Sequence, residues 1–220
     1  MGDMRNKRIY FLDYLRIFAF ASVLIGHKFN SYLEAISKNE TIYSGIRFIA
    51  RLLIPLFQNG AVGVIVFFLV SGYIITHVLQ TEGEVEFLIK RLFRIYPLYI
   101  VAVLIWYVPL VIAGHGESFI TLILQLTLLG DFFVTPYALG GVEWTLRIEI
   151  IFYLFMMVLS YLGVFNNHKS WILPCMLVVT TLMIGFLSPI PTTEVFKSYF
   201  SIFAPFLFLG SMFYLFERKN

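Results

Sequence analysis

Charged residues are scarce in this chain, and cysteine is almost absent. Asp, Glu, Lys and Arg make up 13% of its 220 residues, whereas 60% of the residues are hydrophobic. Soluble globular domains average about 25% charged and about 45 to 50% apolar residues, so the composition excludes that class. The single cysteine, Cys175, excludes an intrachain disulfide, and no Cys/His spacing typical of a zinc site is present.

Several chemical motifs are also missing. The sequence has no Gly-x-x-x-x-Gly-Lys-Ser/Thr loop, no His-Glu-x-x-His and no Gly-x-Ser-x-Gly. These absences argue against nucleotide hydrolysis, zinc proteolysis and serine-hydrolase chemistry, and we expect no metal site. The net charge of +3 comes from scattered basic residues rather than from a basic patch, so nucleic acid is not an expected partner.

Long apolar runs are what the sequence has in excess. A helix needs about 20 residues to cross a hydrocarbon core of roughly 30 Å, and five stretches without any Asp, Glu, Lys or Arg approach that length. The alternation that a membrane β-barrel requires is absent. The sequence therefore predicts an all-α, polytopic transmembrane helical bundle. The five stretches are 60–80, 95–116, 150–168, 170–193 and 198–216.

We expect about six membrane spans in a single domain, together with interfacial or re-entrant helices. Ile46, Ile49 and Leu53 recur at helical spacing, with Arg47 and Arg51 off that stripe, which predicts an amphipathic helix in the membrane interface. The expected spans are 9–29, 60–80, 92–114, 143–165, 170–190 and 197–217.

Lys and Arg residues indicate the orientation of these spans. If residues 118–134 do not cross, most basic clusters fall on one side, as the positive-inside rule prefers. This arrangement places both termini in the cytoplasm. We expect the chain to lie in a bacterial cytoplasmic membrane, in contact with lipid.

The first predicted span carries three ionisable residues, Asp13, Arg16 and His27. At 100° per residue, Arg16 and His27 lie within about 20° of each other and about 16 Å apart along the helix. Asp13 lies within about 60° of both, so the three residues share one stripe. Ionisable groups at membrane depth usually face a protein interior or an aqueous cavity. Alternatively, Asp13 and Arg16 form a simple ion pair at the helix start, and His27 is an interfacial residue.

Further candidates lie in the later spans. Arg91 and Arg94 are i, i+3 neighbours whose guanidinium groups can bind phosphate bidentately, although a positive-inside anchor would look the same. Glu149 lies inside an apolar run, where a carboxylate needs a partner from another element. Arg147 is on the opposite face and is expected to pair with Glu143 at i, i+4.

Ser71 and Gly72 lie in the middle of the second span. Small residues at such positions allow two helices to approach closely, and that packing role is an alternative to a functional one.

Four motifs in chain order carry a resemblance to a known family. They lie at 12–16 with His27, at 63–73, at 90–99, where Arg-x-x-Arg runs into Tyr-Pro, and at 144–153, where Trp144-Thr145-Leu146 is followed by Glu149. Together they resemble the acyltransferase-3 family of integral membrane acyltransferases. Ile65 and Arg147 depart from the family's usual residues. The resemblance covers about the first three-fifths of a typical member, so we expect its C-terminal spans to be missing.

The resemblance implies O-acylation, usually acetylation, of a cell-surface or envelope carbohydrate, with acyl-CoA as the donor substrate and no permanently bound cofactor. It implies that His27 is catalytic, supported by Arg16 and Glu149, and that the Arg91 and Arg94 pair faces CoA. The remaining supporting residues would be Asp13, Ser71, Gly72 and Trp144.

Two other functions fit the same residues. One is a transport or lipid-binding module in which the arginines and Glu149 line a path for an anion. The other is an inactive, truncated fragment. A partner subunit or self-association could complete the bundle of a short chain.

Overall fold

The computed structural model describes residues 10–57, 60–164 and 194–219, and also Leu177. The regular elements in these residues are helices, and no strand occurs among them, so the predicted all-α class is confirmed. The elements are α1 (Tyr10–Lys28), α2 (Asn30–Lys38), α3 (Ser44–Phe57), α4 (Ala61–Val78), α5 (Glu84–Ile112), α6 (Phe119–Leu126), a short 3₁₀ helix (Gly130–Phe133), α7 (Glu143–Tyr161) and α8 (Glu194–Lys219).

Within the described residues, five helices are long and apolar enough to cross a membrane. They are Tyr10–Lys28, Ala61–Val78, Glu84–Ile112, Glu143–Tyr161 and the Tyr199–Arg218 part of α8. Each corresponds to a span expected from the sequence. The sixth expected span, 170–190, lies outside the described residues except for Leu177. The total of six therefore stays a prediction.

Helix α5 begins earlier than expected. The apolar run predicts a start near residue 92, but the helix begins at Glu84, after Gly83 in an extended conformation, and has 29 residues. Glu84 and Glu86 lie in its first turn, where carboxylates interact favourably with the positive end of the helix dipole. Hydropathy detects only the apolar part of such a helix. Arg91 and Arg94 therefore lie two to three turns inside α5 rather than at its start.

Residues 118–134 form no membrane span. Helix α6 has 8 residues and a length of about 12 Å, which is too short to cross roughly 30 Å of hydrocarbon. The Ser118 side chain caps its start by accepting a hydrogen bond from the Thr121 backbone N–H at 3.1 Å. The 3₁₀ helix Gly130–Phe133 follows and ends at Val134, which has a left-handed backbone.

The chain divides into two compact units, with the boundary between Ser71 and Gly72, inside α4. In the first unit, α2 packs against α3, and the Arg51 Nη2 atom donates a hydrogen bond to the Ser37 carbonyl oxygen at 3.3 Å. Helix α3 leaves large apolar side chains exposed, including Phe48 and Leu52. This exposure is what an interfacial amphipathic helix requires. Helix α2 was not expected from the sequence.

In the second unit, α7 packs against α5 on one face and against α8 on another. The side of α7 towards α8 is aromatic: Phe152 and Phe155 both meet the Phe208 ring, at centroid distances of 5.2 and 5.4 Å. The side of α7 towards α5 carries polar groups. The contact between these two helices positions the candidate residues of the second unit.

Candidate functional site

Helix α1 carries Asp13, Arg16 and His27 in one unbroken helix from Tyr10 to Lys28. Because the helix has no break, the three residues share one stripe, as their spacing predicts. Asp13 and Arg16 are partly buried, and His27 lies in the last turn. The catalytic role of His27 and the supporting role of Arg16 stay predictions.

The buried face of α1 lies beside this stripe. It consists of Ala19, Ser22 and Gly26, and Gly26 lies so close to the backbone at Phe57 and Gly60 that a Cβ atom would overlap it. His27 is exposed, so the orientation towards the interior expected from the stripe is not observed in the described residues. Those residues also provide no hydrogen-bond partner for its imidazole. Both ring nitrogens are therefore available to a bound molecule.

Arg91 and Arg94 lie on α5 beside Lys90, and the three cations differ in their partners. Lys90 Nζ forms ion pairs with Glu82 at 2.9 Å and with Glu86 at 2.8 Å. Neither arginine forms an ion pair with a carboxylate in the described part of the chain. The Arg91 guanidinium lies 5.6 Å from the centre of the Phe87 ring, and its buried Nε atom has no hydrogen-bond partner among those residues.

Glu149 is buried on α7, as its position in an apolar run predicts. Its side chain is 6% exposed and accepts a short hydrogen bond from the Tyr153 hydroxyl, one turn further along the helix. The Tyr153 ring meets Phe87 of α5 edge-on, with ring centres 5.9 Å apart. The same Phe87 ring contacts the Arg91 guanidinium, so Phe87 lies between Arg91 and the Tyr153–Glu149 pair.

Gly72 and Trp144 both pack against α8. A Cβ atom on Gly72 would overlap the Leu207 carbonyl group, and the Gly72 carbonyl oxygen accepts a hydrogen bond from Ser211 at 3.3 Å. Trp144 stacks on Tyr199, with ring centres 4.5 Å apart and planes at 10°. Gly72 thus allows the close helix approach that the sequence offered as its alternative role. Ser71 is buried and belongs to the first unit.

A second cluster of buried polar groups, which we call the polar cleft, lies where α5, α6 and α7 meet residues 130–138. Sequence reasoning did not identify it as a site. Glu143 and Arg147 are 2% and 5% exposed, and both contribute to its wall. The polar side chains of its lining are Tyr99, Gln125, Thr135, Tyr137, Glu143 and Arg147.

Side chains of the polar cleft attach the irregular segment after α6 to the helices. The Leu139 backbone N–H donates to Glu143 Oε1 at 2.5 Å, and Arg147 Nε donates to the Leu128 carbonyl oxygen at 2.5 Å. Gln125 Nε2 donates to the Pro136 carbonyl oxygen at 2.8 Å. Glu143 and Arg147 share a face of α7, as i, i+4 residues do, and each also binds a backbone group of this segment.

The sequence contained a weak signal for this cluster. Gln125, Glu143 and Arg147 are polar residues next to apolar helices, but each has an ordinary explanation as a helix-end residue or an intrahelical pair. Their convergence depends on the path of the chain between α6 and α7. At Leu128 and Val134 that path uses left-handed backbone angles, with φ of 60° and 54°, which side chains other than glycine rarely adopt.

Among the described residues, no group of three or more His, Cys, Asp or Glu side chains could hold a metal ion. The described groups offer hydrogen bonds, a guanidinium pair and one exposed imidazole. Such groups can bind phosphates and move a proton.

Comparison with known proteins identifies the family. The acyltransferase-3 model, which describes an acyltransferase domain, matches residues 9–220. The chain belongs to the acyltransferase-3 family. This membership agrees with the resemblance carried by the four motifs, and the apolar helices of the chain make it an integral membrane protein.

One curated relative in this family is Nodulation protein 10 of Rhizobium leguminosarum bv. viciae. It is 27% identical to this chain over 163 residues, which is 64% of the chain and 41% of the relative. The chain thus spans about two fifths of the length of this relative. No solved structure matches the chain.

Proposed function

We propose that this acyltransferase-3 chain transfers an acetyl group from acetyl-CoA to a hydroxyl of a carbohydrate on, or bound for, the cell envelope. Membership of an acyltransferase family supports the reaction type. The acyl-CoA donor is inferred from the arginines of α5, and the carbohydrate acceptor from the resemblance of the motifs.

The contrast among the three cations of α5 carries the donor proposal. Lys90 is already bound by two carboxylates, whereas neither Arg91 nor Arg94 is bound by one among the described residues. In a structural ion pair, the paired N–H donors of a guanidinium group are already bound to a carboxylate. The N–H donors of Arg91 and Arg94 stay available for the phosphates of CoA, which match their bidentate geometry.

The reaction requires a base. The acceptor hydroxyl oxygen attacks the thioester carbonyl carbon, the C–S bond breaks, and CoA leaves as a thiolate. His27 would take the hydroxyl proton and return it to the thiolate sulfur, so that charge and protons balance. Its exposed imidazole, without a hydrogen-bond partner in the described residues, is suited to this task. Arg16, on the same stripe, would support it.

We further propose that the chain lies in the bacterial cytoplasmic membrane with both termini in the cytoplasm. The basic clusters would then lie on the cytoplasmic side. Reporter fusions at Lys169 and Asn220 test this orientation. Cytoplasmic signals at both positions are expected, and an external signal at both would refute the proposal.

Acetyl transfer by the purified full chain in lipid nanodiscs tests the function. Radiolabelled acetyl-CoA and an extracted envelope polysaccharide serve as substrates, and labelled polysaccharide is counted. We expect the His27→Gln variant to lose roughly 10²- to 10⁴-fold in rate, because glutamine retains hydrogen bonding but not the titratable nitrogen. His115→Gln replaces another exposed histidine and should retain the full rate.

Two results would contradict the proposal. If the chain neither binds acetyl-CoA nor labels any acceptor, the donor assignment and the function are both wrong. If transfer occurs and His27→Gln retains more than about a tenth of the rate, the loss is too small for removal of a general base, and Glu149 becomes the next candidate.

A further inference from the structure

Helices α2 and α3 form a hairpin, residues 30–57, which we call the interfacial hairpin. It joins α1 and α4, the first two helices that are long and apolar enough to cross a membrane. The two helices of the hairpin pack against each other and against α1. With 9 and 14 residues they are about 14 and 21 Å long, too short to cross roughly 30 Å of hydrocarbon. The hairpin therefore lies at one surface of the membrane, whichever way the spans are oriented.

The outward face of α3 is apolar. Phe48 and Leu52 are each 61% exposed, Ile49 is also exposed, and Ala50 on the opposite side of the helix is buried. At 100° per residue, the three exposed side chains fall within an arc of about 100°. An interfacial helix inserts such a stripe into the boundary between lipid headgroups and acyl chains.

Two arginines border one edge of this apolar stripe. Around the helix, Arg51 lies about 60° from Phe48, and Arg47 lies about 100° from Phe48 on the same side. Helix α3 contains these two arginines and no acidic residue, so its net charge is +2. The helix thus presents apolar side chains with positive charge beside them.

The carboxylates of the interfacial hairpin do not neutralise these arginines. They are Glu34 and Glu40, and in the described part of the chain neither forms an ion pair with Arg47 or Arg51. Glu34 lies instead 3.9 Å from Lys38, one turn further along α2. The positive charge of α3 therefore requires a counter-charge from outside the hairpin.

Both guanidinium groups also have hydrogen-bond donors to spare. A guanidinium group carries five N–H donors. Arg51 Nη2 donates to the Ser37 carbonyl oxygen at 3.3 Å, which uses one of them. Arg47 Nε has no hydrogen-bond partner among the described residues. Guanidinium groups bind phosphate oxygens bidentately, so an anion that carries a phosphate suits this edge of α3.

The location of these charges argues against a purely topological role. In the proposed orientation the interfacial hairpin lies on the outer side of the membrane, where the positive-inside rule predicts few Lys and Arg residues. Cations beside an apolar stripe are instead typical of amphipathic helices that bind anionic lipids.

We propose that the interfacial hairpin binds an anionic phospholipid. Arg47 and Arg51 donate hydrogen bonds to its phosphate oxygens, and Phe48 and Leu52 lie among its acyl chains. A zwitterionic phospholipid is disfavoured because its ammonium group adds positive charge beside the arginines. This binding is independent of the proposed acetyl transfer, since none of these residues belongs to the donor or catalytic assignments.

A tryptophan at position 48 tests the proposal by reporting which lipid touches the apolar stripe. Phe48→Trp retains an aromatic ring, and its emission is obtained by subtracting that of the unsubstituted chain. The full chain is placed in nanodiscs of phosphatidylcholine and phosphatidylglycerol in equal parts, with brominated acyl chains on one lipid or on the other. Bromine quenches a tryptophan that it contacts, so the two samples give the ratio of the association constants of the two lipids.

We expect the ratio to favour phosphatidylglycerol at least fivefold, since each arginine near an anionic surface favours that surface roughly fivefold. Adding Arg47→Gln and Arg51→Gln should reduce the ratio to about one. Lys38→Gln removes a cation of the same hairpin that already lies beside Glu34, and it should leave the ratio unchanged. Salt at about 1 M, where the Debye length is about 3 Å, should lower the ratio in the Phe48→Trp chain.

Three results would overturn the proposal. Equal quenching by the two lipids in the Phe48→Trp chain would remove the preference, and this comparison needs no charge variant. A ratio that persists in the double glutamine variant, or that falls as far in Lys38→Gln, would reject the role of Arg47 and Arg51. Absence of quenching by either lipid would show that protein covers the stripe. If Phe48→Trp fails to accumulate, Leu52→Trp carries the same reporter at an equally exposed position.

Discussion

Helix α7 carries two buried carboxylates, Glu143 and Glu149, six residues apart, with different surroundings. Glu149 accepts a hydrogen bond from Tyr153 of its own helix, whose ring meets Phe87 of α5 edge-on. Glu143 binds a backbone N–H of the segment after α6 and has one oxygen without a partner in the described residues.

Burial of a carboxylate does not by itself define its role. Glu149 accepts its hydrogen bond from a residue one turn later on its own helix. Glu143 accepts its hydrogen bond from Leu139, four residues earlier, in the irregular segment between α6 and α7. We infer that Glu149 belongs with the side of α7 that meets Phe87 of α5, and Glu143 with the segment between α6 and α7. Three further variants test that division.

The largest effect is expected from Arg147→Ala. The change removes a buried positive charge from the cleft that also holds the Glu143 carboxylate, and it leaves the Leu128 carbonyl oxygen without its donor. Removing one member of a buried charged set costs about 3 to 5 kcal/mol, and we expect the free energy of unfolding to fall by about 3 kcal/mol. Reversible unfolding in mixed micelles measures this. Lys28→Ala, at the exposed end of α1, is the control and should have no resolvable effect.

An Arg147→Ala variant as stable as the control would show that the segment after α6 does not depend on the cleft. The difference between the two carboxylates would then have no structural basis.

A smaller effect is expected from Tyr153→Phe. Phenylalanine retains the ring contact with Phe87 but removes the hydroxyl that donates to Glu149. Depriving a buried carboxylate of one donor costs about 1 to 3 kcal/mol, so we expect a loss of about 2 kcal/mol in unfolding free energy. Tyr161→Phe, on the same helix but 81% exposed, is the control.

If Tyr153→Phe left stability unchanged, the Tyr153 hydroxyl would contribute nothing to the burial of Glu149, and the contrast between the two carboxylates would fail.

The smallest effect is expected from the double variant Arg91→Lys and Arg94→Lys. Lysine retains the charge but lacks the planar fork, so the dissociation constant of acetyl-CoA should rise about tenfold, or about 1.4 kcal/mol. Equilibrium dialysis with labelled acetyl-CoA measures it, and Lys90→Gln, whose side chain is already ion-paired, should bind the donor normally. An unaltered dissociation constant in the double variant would indicate a simple membrane anchor.

Prediction from the sequence succeeded where a residue's environment follows from its neighbours in the chain. The interruption of an apolar run, without a cation at i, i+3 or i, i+4, predicts a buried site for Glu149. For Glu143 the i, i+4 spacing predicts only a pairing with Arg147, because that local pairing satisfies both charges. In the structure, Glu143 accepts a hydrogen bond from Leu139, in the segment before α7. Residue propensities do not predict the path of this segment, because Leu128 and Val134 have left-handed backbone angles.

Hydropathy and helical periodicity, which are local properties, predict the helical class, the approximate extents of the five described spans and the shared stripe of α1. The family motifs are read directly from residue identities in the sequence. The folded structure is needed to show which face of α1 is buried, that α5 extends back to Glu84, and that Glu143 and Arg147 line a cleft. The physical reason is that these features depend on close approach of the backbone and on hydrogen bonds between different segments. Neither kind of contact produces a periodic pattern of residues in the sequence.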